Sequence, residues 1–277
     1  MSYLADYELL EWLGSGNHGE WWLARAPERL GIEGDLVAIK ALWRDASELD
    51  FDRMARELRL LVSISSPHLV SLVEAGESDG RLFYARQHYA GGTLASPGVD
   101  RATVLSAVAS AARGAQALHD AAVVHRDIKP ENVLLNSTSE TDGKAVPAVL
   151  SELGLAQLLD PGLTTGIGPV GAIDYVAPEV AVGDKGSPAS DVWALGVTLH
   201  QALSGHSIYG AEAPDNILDG FRRVTSGRWN LEPSLVDADR QVIEQCLQRD
   251  PEARISSAAA LADALDQIED RTGGAPA

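Results

Sequence analysis

One eight-residue loop constrains this chain more than any other feature. It reads His125-Arg126-Asp127-Ile128-Lys129-Pro130-Glu131-Asn132, and apolar pieces lie on both sides of it, at 123–124 and 133–135. Its eight residues do not arise in this order by chance, so the fold must present them together.

The pattern along the chain changes near residue 100. Before it, short and mostly apolar runs near glycines predict strands, with a glycine break at 91–92 and one helix at 47–63. The predicted strands are Tyr7–Leu13, Glu20–Arg25, Leu36–Lys40, Leu69–Val73 and Leu82–Arg86. After it, helical patterns cover 101–121, 192–203, 214–224, 237–248 and 256–269. This order predicts an α+β fold with two lobes and a cleft between them, divided as 1–90 and 91–271, with a disordered tail at 272–277.

Two further segments indicate phosphate chemistry. Gly14, Gly16 and Gly19 form a G-x-G-x-x-G string, a pattern that dinucleotide-binding folds share. Here a strand-like stretch follows the string rather than a helix, which favours a loop that covers phosphates between two strands. The string Val37-Ala38-Ile39-Lys40 then places a lysine on a strand, where it pairs with a phosphate or lies at the surface.

Composition limits the partners and the compartment. The 277 residues carry 22 basic and 40 acidic side chains, a net charge of −18, which disfavours nucleic acid as a partner. The acidic surplus provides solubility or fits a basic protein partner. The single cysteine, Cys246, fits a reducing cytoplasm. No signal-peptide pattern and no apolar run of about 20 residues occurs, so we expect no membrane association.

Taken together, these motifs resemble a bacterial Ser/Thr protein kinase domain of the eukaryotic-like type, from about Tyr7 to about Leu265. The 125–132 loop matches H-R-D-x-K-x-x-N, Ala177-Pro178-Glu179 matches A-P-E, and Asp191 begins the D-V-W helix that anchors the loop. Arg254 matches the arginine that pairs with the A-P-E glutamate. The resemblance implies a two-lobed protein-kinase-like fold with a β-rich N-lobe, a hinge near 87–92 and a helical C-lobe.

The resemblance also implies the roles of individual residues. Asp127 is the catalytic carboxylate, Lys129 offsets charge on the transferred phosphate, and Asn132 and Glu152 are the magnesium ligands. The nucleotide-binding residues lie in the glycine loop, the lysine strand, the next helix and the hinge: Gly14, Gly16, Gly19, Trp21, Ala38, Lys40, Glu57, Arg86, Gln87 and Tyr89. Thr164 and Thr165 are candidate phosphosites, with Arg126 as the partner of the phosphate.

Four positions depart from the family pattern. Glu152-Leu153-Gly154 replaces D-F-G, and the extra methylene of Glu152 displaces a magnesium ligand by about 1 Å. A displacement of about 1 Å costs around 100-fold in rate. Trp21 stands where the family has a small roof residue over adenine, so it narrows the pocket or turns outward in exchange for Trp22. Ala172 lacks the hydroxyl that the family uses to bridge the catalytic aspartate and lysine.

The fourth departure is Arg86, which takes the place of an apolar gatekeeper. A buried arginine needs an anion, and Glu57 and Glu152 are the nearest candidates by fold analogy. If Arg86 takes Glu57, Lys40 loses its orienting carboxylate. If it takes Glu152, it competes with magnesium.

Three hypotheses about function follow. The favoured one is a pseudokinase that binds ATP and magnesium weakly or not at all and acts on a protein partner as a regulatory or scaffolding module. The alternative is an active, atypical Ser/Thr protein kinase that transfers the γ-phosphate of ATP to hydroxyls of a protein substrate. A small-molecule phosphotransferase on a related fold is the third, and the A-P-E motif and the Asp191 helix argue against it.

Overall fold

The computed structural model of the chain describes residues 2–16, 19–32, 35–42, 64–136, 146–151, 170–210 and 216–273. The chain divides into two compact units. Of the described residues, those from 2 to 65 and from 70 to 89 form the first unit, and those from 66 to 69 and from 90 to 273 form the second. The predicted boundary at 90 and 91 and the predicted tail at 272–277 stay predictions.

The first unit contains an antiparallel sheet of six strands in the order β1-β2-β3-β4-β6-β5. The strands are β1 (Ser2–Leu4), β2 (Tyr7–Gly16), β3 (Gly19–Arg25), β4 (Leu36–Leu42), β5 (Leu72–Ser78) and β6 (Arg81–Gln87). The three strands predicted before residue 41 are confirmed, as is the one predicted at 82–86, each within a few residues. The α+β class is confirmed by this sheet together with the helices of the second unit.

Strand alternation gives the sheet two different faces. Val37, Ile39 and Ala41 of β4 point to a fully buried cluster that includes Tyr7 and Phe83. The rings of Tyr7 and Phe83 meet edge to face, with 5.8 Å between their centroids. The alternate residues of β4, Ala38, Lys40 and Leu42, lie on the opposite face, and that face carries the candidate site.

The strand predicted at 69–73 is displaced in the structure. β5 begins at Leu72 and runs to Ser78, while Leu69 forms an isolated bridge with Leu150 in the second unit. The backbone turns at 67–68, and the N–H of Leu150 donates to the carbonyl of His68 at 2.9 Å, so the residues next to Leu69 pair within the second unit. An edge strand with alternating polar residues, as β5 is, gives a weak apolar signal. The helix predicted at 47–63 lies outside the described residues.

The second unit is helical, with one small hairpin. Its helices are α1 (Arg101–Asp120), α2 (Pro178–Ala181), α3 (Pro188–Ser204), α4 (Ile217–Ser226), α5 (Asp237–Cys246) and α6 (Ala258–Gly273), and its strands are β7 (Val133–Leu135) and β8 (Ala148–Leu150). Short 3-10 helices cover Pro130–Asn132, Val170–Tyr175 and Pro251–Ala253. The five helical patterns predicted from sequence correspond to α1, α3, α4, α5 and α6, and α6 continues to Gly273.

Local signals explain where the long helices begin and end. The Asp100 carboxylate accepts from the N–H of Thr103 at the start of α1. Ser187 and Ser190 form a reciprocal capping box at the start of α3, and Gly205 ends that helix in the left-handed conformation. Within the described part of the chain, no helix is both long enough and apolar enough to cross a membrane.

Candidate functional site

Four of the candidate nucleotide residues of the first unit share one face of the sheet with Tyr84, and this face is called here the Lys40 face. It is defined by Trp21, Ala38, Lys40, Tyr84 and Arg86. Trp21 lies opposite Lys40, and Lys40 lies opposite Tyr84, while Ala38 lies opposite Arg86. Directly paired residues of an antiparallel sheet project to the same side. The register therefore brings together five residues from three strands.

The side chain of Trp21 lies on the Lys40 face, and the narrowing of a nucleotide pocket by Trp21 stays a prediction. Its ring packs with Leu42, Leu82 and Tyr84, and it meets the Tyr84 ring edge to face with 5.4 Å between centroids. Trp22, the next residue, packs against the other face of the sheet. The two tryptophans cannot exchange roles without a one-residue slip of β3, which would turn every side chain of the strand over.

Two cations flank the Trp21 ring. The guanidinium carbon of Arg86 lies 4.5 Å from the ring centroid, and the Lys40 Nζ lies 5.3 Å from it. Both distances are within the range of a cation–π interaction, which contributes about 0.5–2 kcal/mol. Lys40 is buried, with 5% of its surface exposed. A planar guanidinium over an aromatic face is a stacked arrangement that lysine cannot reproduce.

Arg86 also contacts the predicted hinge. Its Nη1 donates to the backbone carbonyl of Gln87 at 3.2 Å. The hydroxyl of Tyr89 donates to the Gln87 side-chain oxygen at 3.5 Å, and burial raises the pKa of Tyr89. The resemblance assigns Gln87 to nucleotide binding. Its backbone carbonyl therefore already accepts a hydrogen bond from the side chain of Arg86.

Two separate structural requirements explain why glycine stands at two positions of the predicted phosphate loop. Gly14 has a φ of +142°, a backbone conformation that other residues rarely adopt. A Cβ on Gly19 would lie 2.2 Å from the carbonyl oxygen of Ala41, so β3 and β4 approach closely only because Gly19 has none. Gly16 pairs with Gly19 across the hairpin, and residues 17–18 lie outside the described part. A structural need thus accounts for Gly19 as well as the predicted phosphate contact does.

The three predicted catalytic residues of the second unit meet in the 125–132 loop. Lys129 Nζ donates to both carboxylate oxygens of Asp127, at 3.0 and 2.9 Å. Asn132 Nδ2 donates to the Asp127 carbonyl at 2.7 Å and to its carboxylate at 2.9 Å. These contacts fix the Asp127 carboxylate, and the role of the Asn132 amide oxygen as a magnesium ligand stays a prediction.

A residue of α3 anchors the 125–132 loop. The Asp191 carboxylate accepts from the backbone N–H groups of His125 at 2.8 Å and Arg126 at 2.9 Å, and it pairs with His119 at 2.8 Å. Arg126 has a φ of +67°, a strained conformation for a residue with a Cβ. The anchoring role predicted for Asp191 is confirmed, and it offsets this strain at the point where the loop turns.

His125 joins the loop to the strand that precedes the D-F-G position. Its Nδ1 accepts from the N–H of Asp127 at 3.2 Å, so its Nε2 carries the proton and donates to the Ser151 carbonyl at 3.1 Å. Burial holds the pKa of His125 below its usual value. The N–H and the hydroxyl of Ser151 both donate to the Asn132 carbonyl, at 2.8 and 3.1 Å. The backbone that leads into Glu152 is therefore fixed at Ser151.

The structural pair predicted at the A-P-E motif is confirmed. Arg254 donates to both carboxylate oxygens of Glu179, at 2.8 and 2.7 Å. The guanidinium side chain of Arg254 is fully buried, and it lies 5.0 Å from the ring centroid of Trp193. This pair ties the segment after the candidate site to the core of the second unit.

Several predicted site residues lie outside the described part of the chain. These are Glu57, Glu152, Leu153, Gly154, Thr164 and Thr165, together with the side chain of Ala172. The donor set Asn132 and Glu152 consists of an amide oxygen and a carboxylate, which are oxygen ligands of the kind that magnesium takes. Among the described residues no group of three or more acidic, histidine or cysteine side chains forms a metal site.

Two contributors to the site were missed in the sequence. Tyr84 meets the Trp21 ring and lies within 6.0 Å of the Lys40 ammonium. Strand alternation predicts this position, because Tyr84 stands two residues before Arg86. Ser151 fixes the approach to Glu152, and no signal in the sequence points to it.

Comparison with known proteins agrees with this geometry. The model of the family described as protein kinase domain matches residues 7–265. Serine/threonine-protein kinase PkaB of Streptomyces coelicolor is 33% identical over 95% of this chain and 63% of its own length. Serine/threonine-protein kinase pkn2 of Myxococcus xanthus is 31% identical over 94% of this chain and 32% of its own length. PknA of Mycobacterium tuberculosis, also a serine/threonine-protein kinase, is 30% identical over 98% of this chain and 62% of its own length.

The chain spans between about a third and just under two thirds of the length of these relatives. Its match to the family model covers both units, from the first long strand to the last helix. The chain belongs to the protein kinase domain family.

Proposed function

We propose that this chain is a pseudokinase: a kinase domain whose purine slot is filled by its own side chains and which acts on a protein partner as a regulatory or scaffolding module. The observation that carries the proposal is the stack of Arg86 on Trp21. Adenine is a flat group that presents N–H donors. Arg86 offers the same features, since its planar guanidinium lies over Trp21 and donates to the Gln87 carbonyl.

The stack has a measurable cost for a nucleotide. A purine that enters must displace a guanidinium from an aromatic face, and each of the two cation–π contacts of Trp21 contributes about 0.5–2 kcal/mol. Loss of both corresponds to about 1–4 kcal/mol, or about one to three powers of ten in affinity. The bulk of the indole adds to this, because Trp is much larger than the small residue that the resemblance expects at this position.

Departures elsewhere in the pattern support the same proposal. Glu152 stands at the position of a magnesium ligand, and its backbone is preceded by Ser151, which three hydrogen bonds hold in place. Because the backbone is fixed at Ser151, it has little freedom to shift and offset the extra methylene of Glu152. Ala172 lacks a hydroxyl in the segment before A-P-E. The proposal includes a cytoplasmic location, which the single cysteine fits.

The test is a calorimetric titration of ATP with and without magnesium. We expect no heat from the wild-type protein at nucleotide concentrations that saturate active kinases, and measurable binding by the double variant Trp21→Val/Arg86→Met. Trp12→Val is the matched control, because Trp12 lies on the same sheet and its side chain is exposed. Magnesium-dependent ATP binding by the wild-type protein at micromolar concentrations would refute the proposal.

An active, atypical Ser/Thr protein kinase remains the second candidate, and the geometry of the 125–132 loop favours it. Asp127, Lys129 and Asn132 keep the contacts that position a catalytic carboxylate. When bound, ATP and magnesium would supply the phosphoryl group and its charge neutralisation. Autophosphorylation with radiolabelled ATP, compared with Asp127→Asn, decides this candidate. Equal incorporation by the two proteins would remove it.

A further inference from the structure

Within the residues that the structure describes, the outer side of β2 is an open strand edge for most of its length. β2 pairs with β3 from Glu8 to Gly16, but β1 on its other side pairs only with Tyr7–Leu9. From Leu10 onward, no strand lies on that side among the described residues. An open edge presents unpaired backbone N–H and C=O groups, which are a template for another extended chain.

Large apolar side chains are exposed along the same edge. Leu10 is 42% exposed, Trp12 54% and Leu13 45%, so three of four consecutive residues of β2 offer apolar surface. Natural edge strands are protected by lysine, proline or bulges. β2 contains no lysine and no proline. It has two bulges, and the residue inserted at each bulge, Leu10 or Leu13, is an exposed leucine.

Three acidic side chains lie on the hairpin that carries this apolar stretch. Glu11 lies within it, and Glu8 and Glu20 lie on the same hairpin. Glu8 pairs with Arg25 and Glu20 lies 4.0 Å from Arg81. Glu11 is exposed, and it forms no salt bridge with another of the described residues. A second copy of this chain would place Glu11 against an equally acidic edge, and like charges across an interface oppose binding. The charge therefore favours a basic partner.

We propose that the β2 edge, defined as residues 10–13, docks an extended segment of another protein in which basic and apolar residues alternate. Backbone hydrogen bonds to the edge provide affinity, and apolar contact with Leu10, Trp12 and Leu13 together with charge pairing to Glu11 provides specificity. The inference rests on the scaffolding role proposed above and gives that role a binding surface. It uses no residue of the Lys40 face, so peptide binding and nucleotide binding are separate measurements.

The experiment uses synthetic strand peptides of about eight residues. The probe alternates lysine and valine, and two controls have the same length: one with alternate backbone nitrogens methylated, and one with glutamate in place of lysine. Binding is measured by fluorescence anisotropy at physiological ionic strength. We expect the lysine peptide to bind at least about tenfold more tightly than either control, because only it offers both free N–H groups and positive charge.

Variants of the chain complete the test. Trp12→Ser/Leu13→Ser should lower the affinity for the lysine peptide by about tenfold or more, since aromatic anchors dominate such contacts. Val182→Ser/Leu218→Ser removes two exposed apolar side chains of the second unit and should leave the affinity unchanged. Circular dichroism of each variant confirms its fold.

Equal binding of the methylated peptide, or no effect of Trp12→Ser/Leu13→Ser, would overturn the docking proposal. Dimerisation of the wild-type protein in sedimentation velocity that Trp12→Ser/Leu13→Ser abolishes would assign the edge to a second copy and also overturn it. ATP binding by a protein that still prefers the lysine peptide would refute the proposed loss of nucleotide binding and leave the docking edge standing.

Discussion

Replacement of Arg254 by methionine should destabilise the second unit severely. The side chain is fully buried and stacks on Trp193. Its Nε donates to the carbonyl of Gln248 at 2.9 Å, and its Nη1 donates to the carbonyl of Ala189 at 2.8 Å. Its two terminal nitrogens hold the Glu179 carboxylate at 2.8 and 2.7 Å.

The expected cost follows from what the substitution leaves behind. Methionine fills much of the volume, but Glu179, which is 14% exposed, keeps a charge without a partner. Removal of one member of a buried ion pair typically costs about 3–5 kcal/mol. Two backbone carbonyls also lose a charged donor, and each such bond contributes about 1.5–3 kcal/mol. We therefore expect a loss of at least about 4 kcal/mol in the free energy of unfolding.

The assay is urea unfolding followed by tryptophan fluorescence. Arg222→Met is the matched control, because Arg222 pairs with Asp219 at 3.1 Å while 80% exposed. Exposed pairs contribute about 0–1 kcal/mol, so this control should unfold near the wild-type midpoint. A loss below about 1 kcal/mol for Arg254→Met would refute the reasoning that the pair stabilises the fold through burial.

A double-mutant cycle separates the pair from the cost of a stranded charge. Glu179→Gln should destabilise the wild-type protein more than it destabilises Arg254→Met, since in the variant it removes an unpaired buried carboxylate. The coupling energy should reach about 1–3 kcal/mol. Additive costs of the two substitutions would contradict direct coupling between Glu179 and Arg254.

Three further predictions concern stability and reactivity. His125 is neutral and buried, and burial lowers its pKa, so below about pH 6.5 the unfolded state binds more protons than the native state. Stability to urea should therefore fall as the pH drops from about 7 to 5. The fall should be smaller in His125→Asn. Gly19→Ala places a Cβ 2.2 Å from the Ala41 carbonyl oxygen and should lower the free energy of unfolding by about 1–3 kcal/mol, whereas Ser15→Ala on the same hairpin should change it little. Burial raises the pKa of the Cys246 thiol to about 12, so the native protein should resist thiol reagents at pH 8 and react only after unfolding, and fast native labelling would contradict this burial.

Much of the fold and part of the site could be predicted from the sequence. Short apolar runs, several of them next to glycines, located β2, β3, β4 and β6, and helical patterns located the long helices of the second unit. The 125–132 loop predicted that Asp127, Lys129 and Asn132 come together, since their spacing allows one short loop to hold all three. β5 was misplaced because its alternating polar residues hide an edge strand, and Leu69 was assigned to it although a turn carries that residue to Leu150.

The sequence by itself determined which side chains could share a face of the sheet. Strand alternation puts Trp21 on one face and Trp22 on the other once the register of β3 is known. That register is a property of the sheet, set by pairing with β2 and β4 and by the close approach that Gly19 permits. Only the tertiary structure decided that Arg86, two residues beyond Tyr84 and across β4 from Trp21, reaches the indole ring and the Gln87 carbonyl together. The physical reason is that a long, flexible side chain can adopt many rotamers, and the sequence does not select among them. Packing against a fixed aromatic ring selects one.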